Sequence, residues 1–304
     1  MGKVFPPFRV DIAGTLCLPA VLKEARQQHE NGQINLAELR AKEDAEVRNL
    51  VDRMKAEGLE VVTDGGYRDI SMITDWGTYR QTVIESFSFL TGVTGGDVLA
   101  KQQLPSPAEL LTRLMQRFGS GWGESQEEAA ERYSEDIVAQ MTSLLIELHA
   151  IGCRYVQFNG ITTKADPVSV NLNNRVLANR PQGMYIAFHA PTDMLVRLNG
   201  VDAYFLNYDG EACDRNRLLW LVHHQRSVFG FVLSHYPDED EMDELLYKMV
   251  DTLNYVPRDH FTLCLPDASM FRSTLERDEH KQWRTLQLGM KMAERLFGNM
   301  AAAI

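Results

Sequence analysis

The stretch Val61-Val62-Thr63-Asp64-Gly65-Gly66-Tyr67-Arg68 joins an apolar run of strand character to a turn that contains two glycines and two charged residues. Buried strand ends seldom have unpaired charges, because burying a charge without a partner is costly. A strand that ends in an acid and an arginine therefore indicates that these side chains lie at a functional site. The stretch therefore predicts a strand followed by a functional loop. Asp64 and Arg68 are candidate site residues, and a structural ion pair between them that braces the loop is the alternative.

Outward from this stretch, apolar runs of strand character alternate with amphipathic segments along the whole chain. The predicted strands are Phe8–Ala13, Leu59–Thr63, Val98–Gln103, Tyr155–Asn159, Met184–His189, Ala203–Asn207, Val228–Leu233 and Phe261–Leu265. The clearest predicted helices are Leu36–Glu57, Ser125–Ala150, Asp214–Gln225, Glu239–Leu253 and Ser269–Met300. This alternation predicts an α/β protein, a single (β/α)8 TIM barrel over residues 1–304. A doubly wound open sheet is disfavoured because no GxGxxG motif follows an early strand.

The barrel prediction directs attention to the carboxyl ends of the strands, where the chemistry of such barrels lies. The polar residues at these ends are Thr15, Asp64, Gln102, Gln103, Asn159, His189, Asn207, His235 and Asp267. A histidine there can titrate near neutrality, so His189 and His235 are candidate proton-transfer groups and Asp64 completes the candidate catalytic set. The candidate substrate-binding residues are Thr15, Arg68, Gln103, Asn159, Asn207 and Asp267. The poorly patterned segment Arg68–Asp97 is predicted to form a lid of loop and helix over the barrel mouth.

Composition excludes several classes of partner. The formal net charge is −11 and Lys and Arg form no cluster, so a nucleic acid or an anionic membrane is not an expected partner. The expected partner is a small-molecule substrate. The four cysteines, Cys17, Cys153, Cys213 and Cys264, form no CxxC pair and are expected to be buried thiols in a reducing cytosol. The first residues lack the apolar core of a signal peptide, which favours a cytoplasmic location. The oligomeric state is not predicted.

Several motifs resemble those of the cobalamin-independent methionine synthase family. Val61–Arg68 is similar to the family's TDGE(F/Y)R signature, with Gly66 in place of the glutamate. Arg9–Thr15 followed by Pro19 resembles the R-x-D-H-V-G-S…R-P opening of the short, single-barrel members. The segment 34–65 follows that family almost position for position, and residues 104–107 match its LPSP. The resemblance implies a TIM barrel of the uroporphyrinogen decarboxylase and methionine synthase superfamily that moves methyl or alkyl groups onto thiols.

The resemblance also implies a zinc ion, held by two cysteines, a histidine and a glutamate, that activates the thiol. His189 retains the first ligand position, and it is the only retained one. The other three positions fall on Pro191, Asn207 and Ala268. No thiolate or carboxylate remains to offset the charge of Zn²⁺, so we expect the family's zinc site to be lost. A relocated site that uses His189, Cys264 and His235 is the alternative.

The substrate-binding positions implied by the resemblance differ as well. Gly66 and the pair Asn159-Gly160 stand where the family has its homocysteine-binding acids, and Thr15 replaces a serine that contributes to carboxylate binding. Homocysteine is therefore a disfavoured acceptor. The segment Ser234–Pro237 resembles the family's I-H-S-P, whose histidine acts near the methyl donor. A folate-type methyl donor is thus the candidate cofactor, although no cofactor is firmly expected.

The leading hypothesis is a divergent methionine-synthase-like transferase. It would transfer a methyl, alkyl or other one-carbon group to or from a small polar substrate without a zinc site of the family type. Three alternatives remain open from the sequence. They are a metal-free lyase or decarboxylase on the same barrel, a non-catalytic binding protein or pseudoenzyme, and a zinc-dependent thiol methyltransferase with relocated ligands.

Overall fold

A computed structural model describes residues 6–68, 75–208, 227–268 and 278–297, together with residues 216, 218, 219 and 222 and without the side chain of residue 239. The strands are β1 (Val10–Ile12), β2 (Val61–Val62), β3 (Leu99–Ala100), β4 (Gln102–Pro105), β5 (Tyr155–Asn159), β6 (Tyr185–His189), β7 (Ala203–Asn207), β8 (Val228–Val232) and β9 (Phe261–Leu265). The helices are α1 (Ala20–Glu30), α2 (Leu36–Ala56), α3 (Trp76–Thr94), α4 (Pro107–Phe118), α5 (Gln126–Ala150), α6 (Pro167–Ala178), α7 (Thr192–Leu195), α8 (Met242–Thr252) and α9 (Glu279–Phe297).

Seven strands form one curled parallel sheet in the order β1-β9-β8-β7-β6-β5-β4, and β2 and β3 form a separate parallel pair. Lys101 alone separates β3 from β4, so one extended segment contributes to both sheets. Between β1 and β2 the structure records no ladder in the described residues, and the loops that follow them are joined by a hydrogen bond from Leu16 N to Gly65 O of 2.9 Å. The α/β class with parallel strands is confirmed. Closure into an eight-stranded barrel stays a prediction.

Local sequence signals set the helix ends. In α2 the Asn35 side chain accepts from Glu38 N while the Glu38 side chain accepts from Asn35 N, the capping box expected from the sequence. Ser125 and Glu128 repeat this arrangement at the start of α5. The predicted helix 269–300 is observed as α9, with residues 269–277 and 298–304 outside the described part. Most of the predicted helix 214–225 also lies outside it.

The segment predicted to form a lid is mostly helical. Its residues 76–94 form α3, which packs against α2, α5 and β3. The Trp76 and Tyr79 rings meet edge to face, with centroids 5.8 Å apart, and Tyr79 is buried, in agreement with a packing role. Residues 69–74 lie outside the described part, so a lid formed by them stays a prediction.

The two faces of the sheet differ in composition. The outer face packs the main apolar core against the helices, through side chains such as Ile186, Phe188 and Phe231. The inner face carries a smaller apolar cluster that includes Tyr155, Phe205 and Cys264. It also holds the buried polar groups described below. No helix in the described residues is long and apolar enough to cross a bilayer.

Candidate functional site

Polar side chains gather at the carboxyl ends of the sheet strands, as the sequence predicts. Asn159 on β5 and His189 on β6 are register partners on adjacent strands. Asn207 ends β7, and Asp267 follows β9. Together with the neighbouring loop and strand residues these groups form what we call the strand-end cluster. Its members are Thr15, Gln103, Asn159, His189, Asn207 and Asp267.

Thr15 and Asp267 join the loop after β1 to the loop after β9. Thr15 N and Thr15 Oγ1 donate to Asp267 Oδ1 at 3.0 and 2.9 Å, and Ala268 N donates to Thr15 O at 2.9 Å. Asp267 is buried. Gly14 makes this close approach possible, because a Cβ there would lie 2.0 Å from Asp267 Cγ. The two loops therefore hold one carboxylate in a single orientation at the edge of the cluster.

His189 is the central titratable group of the cluster. It is fully buried, and its Nε2 lies 3.3 Å from Asn207 Oδ1. Burial lowers the pKa of His189, while the charge of Asp267, the hydrogen bond with Asn207 and an interaction with the Ala13 backbone oppose this shift. With the amide oxygen as acceptor, Nε2 carries the proton, and Nδ1 is a buried lone pair that no described residue satisfies. The arrangement is that of a buried imidazole whose Nδ1 makes no hydrogen bond of good geometry to a described residue.

The protonation state of His189 is testable by NMR. We expect the pKa of His189 to lie below the ordinary histidine value of about 6.5 and the neutral ring to be the Nε2–H tautomer. Because the unfolded chain then binds the proton first, the stability from this group falls as the pH drops from about 6.5 toward the folded-state pKa. Long-range ¹H–¹⁵N spectra of the imidazole measure both properties. A His189 ring that stays protonated above pH 7 would contradict the assignment.

Beneath the cluster lies a buried ion pair that sequence reasoning missed. Lys101 Nζ pairs with Asp11 and also donates to Ile12 O at 2.6 Å and to Gln157 Oε1 at 2.9 Å. Lys101 and Asp11 are both almost fully buried, and Tyr155 OH donates to Asp11 Oδ2 at 2.7 Å. A single lysine inside the apolar run of β3 and β4 was the available signal, since buried cations require a partner.

This ion pair orients the amides above it. Because Gln157 Oε1 accepts from Lys101, its Nε2 is the donor and contacts Ala13 O and Asn159 Oδ1, the latter at 2.6 Å. Asn159 therefore keeps its NH₂ group as a hydrogen-bond donor. Gln103 Nε2 donates to Ile12 O at 3.1 Å, and Gln103 Oε1 is buried with no described partner. The cluster thus contains two buried atoms without a hydrogen-bond partner among the described residues, Gln103 Oε1 and His189 Nδ1.

Two predicted site residues lie in the loop after β2. Asp64 is buried and its Oδ1 accepts from Gly66 N at 3.0 Å; burial raises the pKa of Asp64, against the opposing effects of this hydrogen bond and of Arg68. Arg68 pairs with Asp44 of α2 and covers the Phe89 ring of α3 with its guanidinium carbon 4.6 Å from the centroid. Arg68 thus pairs with Asp44 instead of Asp64, which was the partner in the alternative of a structural ion pair, and it points toward the helices.

His235 lies apart from the strand-end cluster in its described contacts. It is exposed, with Nε2 3.2 Å from Glu241 Oε1 and Nδ1 3.1 Å from Ser234 Oγ. The adjacent Tyr236 is buried with Cys17 and Ala268. The structure therefore gives His189 and His235 different environments, one dry and one open to solvent.

The residues at the four zinc-ligand positions do not fit a zinc ion. His189 and Asn207 offer one imidazole and one amide, Pro191 offers no side-chain donor, and Ala268 lies in an apolar contact with Cys17. Cys264 is fully buried beside Asp11 and Lys101, and burial raises the pKa of its thiol well above the ordinary value. Across the described ranges no group of three or more His, Cys, Asp or Glu side chains is placed to hold a metal. The relocated His189, Cys264 and His235 set is likewise not assembled.

Comparisons with known proteins agree with this architecture. No family model matches the chain. It is 22% identical to Bacillus subtilis (strain 168) YxjG over an alignment of 364 positions, covering 95% of this chain and 94% of YxjG. YxjH of the same organism is 22% identical, with 92% of each protein covered.

Two solved structures resemble it along nearly their full length. A protein from Listeria monocytogenes assigned as a vitamin-B12 independent methionine synthase has a TM-score of 0.73 and 21% identity, with 96% of this chain and 99% of that chain covered. A B12-independent methionine synthase from Shewanella sp. W3-18-1, in complex with selenomethionine, has a TM-score of 0.69 and 15% identity, with 97% and 99% covered. The chain has their fold. At these identities the likeness does not extend to activity.

Proposed function

We propose that this protein is a divergent, methionine-synthase-like transferase that moves a methyl or other one-carbon group to or from a small polar substrate without a zinc site of the family type. One observation carries the proposal. The strand-end cluster holds a buried, neutral imidazole whose Nδ1 is free to accept a proton. The fold shared with the methionine-synthase-like structures supplies the reaction class.

His189 takes the role of base in the proposed reaction. The step requires that substrate binding exposes the buried Nδ1 of His189. An acceptor X–H then gives its proton to Nδ1 as X forms its bond to the incoming carbon, and the bond between that carbon and the donor breaks with its electron pair left on the donor. The imidazolium that results is stabilised by the nearby charge of Asp267 and by the Asn207 carbonyl. General base catalysis of this kind contributes roughly 10²–10⁴ in rate.

The other cluster residues would orient the substrate. Gln103 Oε1 accepts a hydrogen bond from the ligand, and Asn159 donates one through its NH₂ group. Buried polar atoms without partners cost about 1–3 kcal/mol each, so a protein that binds nothing here would gain stability by losing them. These unsatisfied atoms support a ligand at the cluster.

The test is a methyl-transfer assay with a folate-type donor labelled in its methyl group and a panel of small thiols, amines and hydroxyl compounds. We expect His189→Ala to lower turnover at least about tenfold, because the substitution removes the imidazole that takes the proton in the proposed step. His280→Ala, at an exposed position on α9, is the matched control and should leave turnover unchanged. His235→Ala measures whether the solvent-exposed histidine also contributes.

Metal analysis completes the test. Activity should survive removal of metal by a chelator, and protein purified without chelator should lack stoichiometric zinc. Stoichiometric zinc lost together with activity would refute the metal-free mechanism. Equal turnover in wild type and His189→Ala would refute the assignment of the base.

A further inference from the structure

A small cavity lies outside the sheet and is lined by none of the residues of the strand-end cluster. It has a volume of about 240 Å³ and is bounded by α1, α2, α3 and the loop after β2. Its polar lining comprises Arg26, His29, Arg40, Glu43, Arg68 and Thr82, with an exposed Glu30 at the rim. Binding pockets for drug-sized ligands begin at about 300 Å³, so this cavity suits a molecule of few heavy atoms.

Three guanidinium groups from three different elements meet at this cavity, in a chain whose net charge is −11. Arg26 comes from α1 and donates through one nitrogen to Tyr67 O at 3.0 Å. Arg40 comes from α2, and its NH1 lies 3.7 Å from Glu85 Oε2 at a partly exposed site. Each guanidinium has five N–H donors, so these contacts leave most of the donors of Arg26 and Arg40 available.

Arg68 supplies the buried part of the cavity lining. Only 5% of it is exposed, and one of its terminal nitrogens pairs with Asp44. Its Nε is buried and has no hydrogen-bond partner in the described structure. A buried N–H of a charged group without an acceptor is costly, so the Arg68 guanidinium keeps hydrogen-bonding capacity that its contact with Asp44 does not use.

Glu43 is the carboxylate that could neutralise this cavity from within. It is 6% exposed, yet among the described residues it makes no ion pair within 4.0 Å. Burial raises the pKa of Glu43, and the charges of Arg26, Arg68 and Arg40 oppose the shift. Glu43 therefore moderates the positive field without satisfying the N–H groups of the arginines.

We propose that this cavity binds a small oxyanion, a phosphate or carboxylate group, through Arg26, Arg40 and Arg68. A planar guanidinium matches the oxygens of either group in a two-point contact. The site is separate from the strand-end cluster, so it does not depend on the proposed transfer reaction.

The test is calorimetric titration of the full chain with inorganic phosphate and, separately, with succinate, each against sodium chloride at equal ionic strength. We expect saturable binding of at least one of the two and a rise in the unfolding midpoint with its concentration. Arg40→Gln should weaken binding at least about tenfold, since it removes a charged hydrogen-bond donor. Arg53→Gln is the control, because Arg53 is also on α2, partly exposed and 3.7 Å from a glutamate, but lies outside the cavity.

Glu43→Gln separates an oxyanion site from other assignments. Removal of this carboxylate should tighten anion binding, because the competing negative charge is lost. The proposal is overturned if neither anion binds above the chloride control, or if Arg40→Gln and Arg53→Gln bind equally well. Loss of binding in Glu43→Gln would also overturn it, since that result requires a ligand held by the carboxylate.

Discussion

Replacement of Lys101 by Met is expected to destabilise the protein by about 3–5 kcal/mol, as is usual when one partner of a buried ion pair is removed. The substitution keeps the length and packing of the side chain but leaves Asp11 charged and enclosed, since both residues are at most 1% exposed. It also removes the donors to Ile12 O and Gln157 Oε1. Urea unfolding followed by circular dichroism measures the change in the free energy of unfolding.

Two variants give this experiment its controls. Lys23→Met, at an exposed position on α1, should change stability by no more than about 0.5 kcal/mol. The double variant Asp11→Asn/Lys101→Met removes both charges and retains an acceptor for Tyr155 OH, so it should be more stable than Lys101→Met alone. A loss below about 1 kcal/mol in the single variant, or no recovery in the double variant, would contradict this account of the ion pair.

Gly14→Ala is expected to disrupt the strand-end cluster directly. The new Cβ would lie 2.0 Å from Asp267 Cγ and 2.2 Å from Oδ2, so the carboxylate must move and its hydrogen bonds from Thr15 break. We expect a loss of about 1–3 kcal/mol from overpacking. The pKa of His189 should fall further, since the charge of Asp267 raises it in the native arrangement. Unfolding curves and the NMR titration of His189 measure the two effects.

Gly92→Ala is the matched control for Gly14→Ala. Gly92 lies inside α3, and a Cβ there would meet no atom within 4 Å. The same chemical change should therefore stabilise the protein by about 0.5–1 kcal/mol, the usual gain for alanine over glycine in a helix. If Gly14→Ala and Gly92→Ala have the same effect on stability and on the His189 titration, the close approach at Gly14 has no role in the site.

Much of the fold could be predicted because its signals are local. The Asn35 and Glu38 pair marks the start of α2 within four residues of sequence. The observed strands β5, β7 and β9 match the predicted ranges because short apolar runs bounded by polar residues seldom form other structures in an alternating chain. A closed barrel would also pair β1 with β2. That pairing was expected only because the chain has eight predicted strands, and the number of strands contains no information on the hydrogen bonds of one pair.

The candidate site was predictable only in part. The strand-end positions of Asn159, His189 and Asn207 were predictable because short apolar runs mark where strands end, and parallel strands bring their carboxyl ends to one edge. The environment of each group was not readable. An ion pair of Arg68 with Asp64 was one alternative, but Arg68 pairs with Asp44 on α2. His235 was grouped with His189 although it is exposed.

The sequence by itself determined the α/β class, the order of the elements and the polar character of the strand ends. These properties depend on residues that are close together in the chain. Only the tertiary structure decided that Lys101 pairs with Asp11, 90 positions away, that His189 is fully buried, and that three arginines line one small cavity. Such features depend on which distant side chains share a low-dielectric environment, and burial together with packing sets that environment after the chain has folded.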